Sequence, residues 1–422
     1  MPSTTSSSPG LLQWYWDAPA SARRALFAAW IGWLLDAFDV MLYALVLGTL
    51  IGEFALSKAT AGLLGSLTLI ASGFGGILFG IIADRYGRRP ALMGSLLVYS
   101  IFTFACGLST TVWQLGVCRF VLGLGMGGEW TSGAALVSET WPDAHRAKAM
   151  GMMQSAWSVG YAAAALVVAA VLPRFGWRAV FFIGILPAFV ALWMRRGIEE
   201  SPEWVRSSSV HRDWRKPVRA IFSPDYLRFT LLLTALSTTT IFAYWGLNLW
   251  VPAYLSLPQS QGGAGFTTIV ATSLVVLIQF GAFLGYVSFG WVADAFGRRR
   301  SFLAYILTAA VLVLGFGQTH NPLVLVALGP LTTFFGTGFF SGFGAVTAEF
   351  YPTAIRATAQ GFTYNVGRMA SALAPFIIGS LAETRGFGTA FAVLAIALLL
   401  GAATWIWLPE SLGWNRTVAT VA

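Results

Sequence analysis

The chain contains twelve apolar runs, each close to or above the 20 or so residues that an α-helix needs to cross the hydrocarbon core of a membrane. Inside that core every backbone polar group must be bonded within the chain, so runs of this length predict helices. Composition agrees: 57% of the residues are hydrophobic and 10% are charged, whereas a soluble domain has about 25% charged residues. We predict an all-α integral membrane protein. The twelve spans are predicted at 25–50, 60–83, 90–108, 112–138, 147–172, 177–194, 229–256, 267–293, 301–318, 322–348, 357–382 and 387–408.

A ten-residue motif occurs twice in the chain. Residues 80–89 read Gly-Ile-Ile-Ala-Asp-Arg-Tyr-Gly-Arg-Arg, and residues 290–299 read Gly-Trp-Val-Ala-Asp-Ala-Phe-Gly-Arg-Arg. A second set of residues keeps the same offset: Glu139, Pro142, Arg146 and Gly151 match Glu349, Pro352, Arg356 and Gly361. A constant offset over separate landmarks indicates a duplicated module, an arrangement found in many secondary transporters.

The duplication predicts two pseudo-symmetric six-helix bundles. The first would cover 25–194 and the second 229–408, with a polar cytoplasmic linker at 195–228. Cytoplasmic tails are expected at 1–24, which is rich in Ser and polar, and at 409–422.

Basic residues indicate the orientation of the predicted spans. Most of the 26 Lys and Arg residues fall in loops on one side if both termini are cytoplasmic. Because cytoplasmic loops of membrane proteins attract Lys and Arg, we predict a multi-pass protein of the cell inner membrane with both termini inside. The net charge of +9 is then a topology signal, and no nucleic-acid partner is expected.

Charged residues inside the spans are the main candidates for chemistry, because a charge at mid-membrane costs at least about 2.5–3.5 kcal/mol. Asp36, Asp39 and Tyr43 share one face of the first span, since they are three and four residues apart. Arg119 in the fourth span lies at a similar depth to Asp39, and Glu129 lies nearer the level of Asp36. A carboxylate that alternately pairs with Arg119 and takes up a proton would couple transport to protons. The alternative is a fixed ion pair that holds the two helices together.

A single arginine, Arg368, falls near the midplane of the second half. Its planar guanidinium would bind a carboxylate, although an interhelical pair would also explain it. Polar and aromatic residues of neighbouring spans would complete a substrate site between the halves: Tyr364, Asn365, Tyr43, Tyr244, Asn248, Gln154 and Trp157.

Several of these motifs resemble those of one family, the major facilitator superfamily. The repeated motif is similar to its loop 2–3 motif, and residues 119–125 resemble the fourth-helix motif of its proton-coupled importers. Residues 200–204 and 409–411 resemble the segments that follow helices 6 and 12 in its sugar-porter-like branches. The pair Asp36 and Asp39, with 127–130 and 364–368, most resembles its organic acid:proton symporters, which include sialate, lactate/pyruvate, aromatic-acid and dicarboxylate groups.

The resemblance implies a gating role for the repeated motif. Asp84, at the end of the second span, would pair with Arg88 and face the positive N-terminus of the eleventh span, which holds the halves together on the cytoplasmic side. In the second copy Ala295 replaces the arginine found at position 85. The candidate gating residues are Asp84, Arg85, Gly87, Arg88, Asp294 and Arg298.

The function predicted from these observations is proton-coupled uptake of a small organic anion by alternating access. The fifth span has no proline within 158–172, which favours uptake over efflux. A neutral sugar:proton symporter is the alternative, and a transporter-like nutrient sensor is a further one. No nucleophile–base pair or metal cluster is visible in the sequence, so we expect neither an enzyme nor a cofactor, and we expect a monomer in the lipid bilayer.

Overall fold

The fold is a succession of long helices. The computed structural model describes residues 13–141, 145–189 and 215–411, and all the regular secondary structure in these ranges is helical. The helices of the first half are α1 (Ala20–Glu53), α2 (Lys58–Tyr86), α3 (Arg88–Gly107), α4 (Val112–Thr140) and α5 (Arg146–Ile183). A short helix, α6 (Arg215–Ile221), precedes the second half. The second half contains α7 (Pro224–Ser256), α8 (Thr268–Phe296), α9 (Arg298–Gly317), α10 (Pro322–Gly338), α11 (Thr353–Ser371) and α12 (Gly386–Thr404). Two helices follow α10 and α11 as continuations: Phe343–Phe350 after a 3-10 turn at Phe339–Gly342, and Ala374–Thr384.

The repeat seen in the motif extends to whole helices. Helices α2 and α8 are both 29 residues long, α3 and α9 are both 20, and each pair starts and ends at the same offset as the motif. A glycine with positive φ lies between consecutive helices in each half: Gly87 (φ 111°) between α2 and α3, and Gly297 (φ 89°) between α8 and α9. Side chains strongly disfavour this backbone region, so the glycine of the motif allows one helix to end and the next to begin within a single residue.

Polar side chains cap the starts of several helices. The Ser57 hydroxyl accepts a hydrogen bond from the backbone N–H of Thr60 at 3.0 Å, and Thr111 forms a reciprocal capping box with Gln114. Such N-caps satisfy backbone donors that have no partner within the helix. Both caps therefore stabilise the first turn of their helix.

Nine helical stretches in the described residues are long and apolar enough to cross a membrane. The difference from the twelve predicted spans has three sources. Predicted spans five and six meet at a kink, Gly176 (φ 76°), and form one continuous stretch, Lys148–Phe189. The fourth span, α4, and the eleventh, which is divided into Thr353–Ser371 and Ala374–Thr384, are not among the nine.

Part of the segment predicted as a cytoplasmic tail, 1–24, is helical. Trp14 and Tyr15 form part of a short helix and pack against Trp141, with ring centroids 5.3 and 6.2 Å apart. The Trp141 indole N–H donates to the carbonyl of Ala22 at 2.8 Å, and α1 begins at Ala20. The rings of Trp14 and Tyr15 therefore lie against the end of α4. Residues 1–12, most of the predicted linker and 412–422 lie outside the described residues.

The two halves meet tightly at the face where α2 begins. A Cβ built on Gly62 would lie 2.2 Å from the carbonyl oxygen of Pro375, and one on Gly379 would lie 2.4 Å from that of Lys58. The helices therefore touch backbone to backbone, as small residues permit in membrane proteins. We call this the closed face, defined by residues 58–62 and 375–383, and the opposite side, which carries 84–89 and 294–299, the motif face.

Candidate substrate cavity

A small cavity, with a volume of about 30 Å³, lies between the two halves. The first half contributes three lining residues, Trp33, Gln154 and Trp157. The second half contributes Ile241, Tyr244, Trp245, Tyr286, Phe340, Tyr364 and Arg368. Seven of these ten side chains are aromatic, and one is a cation, so the cavity combines flat apolar walls with a single positive charge.

The aromatic walls are held in place by ring contacts within each half and between the halves. Trp157 packs 4.7 Å from Trp33 and meets Trp245 edge-on at 5.8 Å. Tyr244 meets Trp245 and Phe340 edge-on, at 5.6 and 5.3 Å. Edge-to-face contacts of this kind fix ring orientation, and they leave ring faces available to a ligand.

Polar atoms in this cavity are few. Within the described residues, the side-chain oxygen of Gln154 and the indole N–H of Trp33 are buried and have no hydrogen-bond partner. A buried polar group without a partner is unfavourable, so both atoms are available to a ligand or water.

Arg368 is the charged residue of the cavity, and its side chain is 4% exposed. It lies near the end of α11, one turn after Tyr364, which also lines the cavity. The guanidinium interacts electrostatically with Asp36 of α1, across the boundary between the halves. Arg368 therefore connects the cavity to the acidic residues of the first half.

Three acidic side chains cluster beside the cavity in the first half. Asp36, Asp39 and Glu129 are at most 1% exposed, and Asp36 interacts electrostatically with both of the others. A Cβ on Gly32 would lie 2.1 Å from a carboxyl oxygen of Glu129, so α4 presents Glu129 directly to α1 near Asp36, the level that we predicted. Neither carboxyl oxygen of Asp36 accepts a hydrogen bond from the described residues.

Arg119 lies apart from these acids. Its guanidinium carbon is 3.6 Å from the ring centroid of Tyr43, and its Nε donates to the carbonyl of Leu64 at 3.3 Å. No salt bridge joins it to Asp36 or Asp39 within the described residues. The predicted pairing is therefore not formed in this state, and a cation–π contact with Tyr43, one turn beyond Asp39, stands in its place.

Three predicted lining residues point elsewhere. The side-chain amides of Asn365 and Asn248 donate to the carbonyls of Gly361 and Tyr244, four residues earlier, at 2.9 and 3.0 Å. The Tyr43 hydroxyl donates to the carbonyl of Ala61 at 2.7 Å. Tyr244, Gln154, Trp157, Tyr364 and Arg368 do line the cavity, as we expected.

Six residues at the site were not among the predicted ones. Trp33, Ile241, Trp245, Tyr286 and Phe340 line the cavity. Tyr99 of α3 is fully buried among the three acids, and its hydroxyl has no partner in the described residues. Trp33 precedes Asp36 by one turn and Trp245 adjoins Tyr244, which are weak signals. Tyr99, Tyr286 and Phe340 have none, because the chain contains 32 Phe and 12 Tyr.

The candidate gating residues fall on the motif face. The side chains of Asp84 and Arg88 lie outside the described part, and the exposed Arg85 lies 5.5 Å above the ring of Tyr86. In the second copy Asp294 and Arg298 form a salt bridge of 2.5 Å.

This second copy is bonded within its own half. Arg298 Nε contacts Glu349 at 3.3 Å, and Glu349 accepts a 2.5 Å hydrogen bond from Ser411. Glu410 accepts from the backbone N–H groups of Arg298 and Arg299, at 2.8 and 3.1 Å. The described contacts of Asp294 and Arg298 thus stabilise the second half and do not join it to the first.

Comparison with known proteins agrees with the helical architecture. The family model of the Major Facilitator Superfamily matches residues 29–288 and 257–420. A putative niacin/nicotinamide transporter of Bacillus subtilis is 33% identical over 91% of this chain and 95% of its own length. A cis,cis-muconate transport protein of Acinetobacter baylyi is 33% identical over 90% of this chain and 92% of its own.

Among solved structures, the xylose transporter XylE from E. coli in a partially occluded inward open conformation superposes with a TM-score of 0.78. Its identity is 18%, and the match covers 94% of this chain and 99% of that one, so it bears on the fold alone. The predicted fold class is confirmed by these matches, and so is the prediction that the protein is not an enzyme. The chain belongs to the Major Facilitator Superfamily of membrane transporters.

Proposed function

We propose that the protein takes up a small, flat organic carboxylate together with protons, by alternating access. The observation that carries this proposal is the buried Arg368 in a cavity whose other walls are mostly aromatic rings. A guanidinium in an apolar site is costly unless it meets an anion, and its planar donors match a carboxylate. A carboxylate substrate would supply that anion from inside the cavity.

The walls favour a planar ligand. Ring faces of Trp157 and Tyr244 suit a flat conjugated or aromatic body, since stacked and edge-on contacts add to simple burial. Gln154 and the Trp33 N–H would bind a ring substituent. Relatives named for niacin/nicotinamide and for cis,cis-muconate, both with flat ligands, support this substrate class.

A neutral sugar is less consistent with this cavity. A sugar presents hydroxyl groups around its ring, and a site for it needs several hydrogen-bonding side chains. Here Gln154, three tyrosine hydroxyls and the tryptophan N–H groups are the polar groups beside Arg368, and most of the wall is apolar.

The acids beside the cavity supply the proton pathway in this proposal. Asp36 interacts with Arg368 across the halves, and a substrate carboxylate would compete for the same guanidinium. When the substrate takes Arg368, Asp36 loses its cation and becomes able to take a proton. Asp39 and Glu129, buried beside it, would pass that proton on, with Tyr99 among them. Proton and anion then cross together.

The proposed topology places the closed face outside. The predicted cytoplasmic loops contain the motif face, so closure at residues 58–62 and 375–383 would shut the cavity from the outside of the cell. In this orientation the structure is one with the outer side shut, and uptake requires that face to open in each cycle.

The test is counterflow in proteoliposomes, with and without a pH gradient, against aromatic acids, dicarboxylates, sialate, lactate and sugars. We expect flat carboxylates to exchange, and we expect Arg368→Lys to weaken apparent affinity roughly 10- to 100-fold, because a lysine cannot form the bidentate pair. The matched control is Arg178→Lys, which changes an exposed arginine paired with Glu53. Normal affinity in Arg368→Lys, or exchange of sugars unaffected by carboxylates, would contradict the proposal.

A further inference from the structure

The closed face contains polar contacts that join the halves. The carboxylate of Glu383 accepts a 3.1 Å hydrogen bond from the backbone N–H of Ala59. Ala59 lies in the first turn of α2, where N–H groups have no partner within the helix and the helix dipole favours a negative charge. Ser57 satisfies the next donor, Thr60, from the same half. One donor of this helix start is therefore bonded by its own half and another by the opposite half.

Lys58 makes the reciprocal contacts. Its ammonium donates to the carbonyl of Gln261 at 2.7 Å and to that of Ala382 at 3.4 Å. It also lies 5.3 Å from the ring centroid of Phe387, within the range of a cation–π contact, and it interacts electrostatically with Glu383. All these partners belong to the second half, so Lys58 and Glu383 each bind the half to which they do not belong.

These contacts differ from the backbone packing beneath them. The approach at Gly62 and Gly379 is short-range and buried, whereas the Glu383 and Lys58 contacts lie at the exposed rim. Water can replace hydrogen bonds at an exposed rim, so these contacts can break in each cycle. The Coulomb attraction between charged groups extends further than van der Waals contact, so it can draw the separated halves together again.

We propose that Lys58 and Glu383 form a latch that holds the closed face shut, and that this latch must open for substrate to enter from that face. The proposal rests on the alternating-access transport proposed above. It also assigns a contact at each face of the molecule to the same two elements, α2 and α11 with its continuation. Asp84, at the end of α2, is predicted to face the start of α11, and Glu383, at the end of the continuation of α11, meets the start of α2. The same pair of helices would thus carry one latch at each face, each favouring the opposite state.

The experiment measures access to the cavity from the closed face. Cys106 and Cys118 are replaced by Ser, and Ser66→Cys serves as reporter, because Ser66 is fully buried two turns inside Lys58 and accepts a hydrogen bond from Phe376 N–H. The readout is the labelling rate with a membrane-impermeant maleimide, in right-side-out and inside-out vesicles. With both kinds of vesicle, the reagent reaches the closed face whichever side of the membrane that face occupies.

We expect Glu383→Ala and Lys58→Ala each to speed labelling roughly fivefold, the change that loss of about one ordinary hydrogen bond at an exposed rim would give. Glu383→Gln keeps an acceptor but not the charge, and should fall between Glu383→Ala and the parent. The control is Glu53→Ala, which removes an exposed carboxylate on this face that is paired with Arg178 inside the first half. Its labelling rate should equal that of the parent.

Unchanged labelling in both Glu383→Ala and Lys58→Ala, in protein that elutes as a single folded species, would overturn the latch. Labelling does not require a cargo, so it separates the two proposals. If no carboxylate exchanges in proteoliposomes but the two variants label faster, the proposed function fails and the latch stands.

Discussion

The Asn365 and Asn248 side chains show what a sequence can and cannot predict about a membrane site. Both amides turn back to the carbonyl four residues earlier, a local alternative that is open to any asparagine in a helix. The charge of Arg368 cannot be neutralised by a backbone carbonyl one turn away, so its position near the midplane makes it a candidate for binding an anion. Trp33 and Phe340 could not be selected in the same way, since helix rotation decides which of many aromatic rings faces the cavity.

Asp36 is the residue at which proton and substrate meet in the proposed mechanism. Asp36→Asn should keep counterflow of the substrate but abolish accumulation driven by a pH gradient, because the amide cannot carry a proton. Asp39→Asn should lower the coupled rate and leave counterflow intact. Uptake is measured at equal and unequal pH across the membrane, with Glu53→Gln, an exposed carboxylate, as the control. Gradient-driven accumulation by Asp36→Asn would exclude it as a proton carrier.

At the scale of elements, the start of α9 depends on a residue far along the chain. Glu410 accepts from two consecutive backbone N–H groups there, those of Arg298 and Arg299. In the sequence, Pro409-Glu410-Ser411 stands out only by its resemblance to a family motif. Its partner could not be predicted, because the contact spans more than a hundred residues and depends on how α12 ends beside α9.

Glu410→Ala should therefore loosen the motif face of the second half. Loss of a helix cap and of a charge near the helix N-terminus costs about 1 kcal/mol, so the melting temperature in detergent should fall. Glu53→Ala is the comparison, since an exposed salt bridge contributes little to stability. A melting temperature equal to that of the wild type would show that the cap is energetically neutral.

At the scale of the whole molecule, the duplicated architecture was predictable and the state of the molecule was not. Apolar runs and the repeated motif predict two related halves, and α2 and α8 have matching lengths. Closure at one face follows from how the halves meet, and the same sequence must also permit the opposite arrangement. A sequence that encodes two states of similar free energy cannot by itself indicate which one is observed.

Gly62 provides a test of that closure. Gly62→Ala would place a methyl group about where the Pro375 carbonyl now lies, so the halves should be held apart at the closed face and transport should fall. Spin labels on Glu53→Cys and Arg385→Cys, both exposed, should report a longer distance. Gly80→Ala is the matched control on the same helix, since nothing lies within 4 Å of its Cβ position. A distance distribution unchanged by Gly62→Ala would mean that the contact does not limit closure.

The contact of Gly62 with Pro375, and of Gly379 with Lys58, has an electrical consequence. An energised membrane drives each elementary charge with about 2.3 kcal/mol per 100 mV, so any continuous file of water through the carrier would discharge the cell. Side chains change rotamer in picoseconds to nanoseconds, whereas rigid halves move in microseconds to milliseconds. A seal made of backbone atoms therefore opens only when a whole half moves, and the protein stays insulating between turnovers.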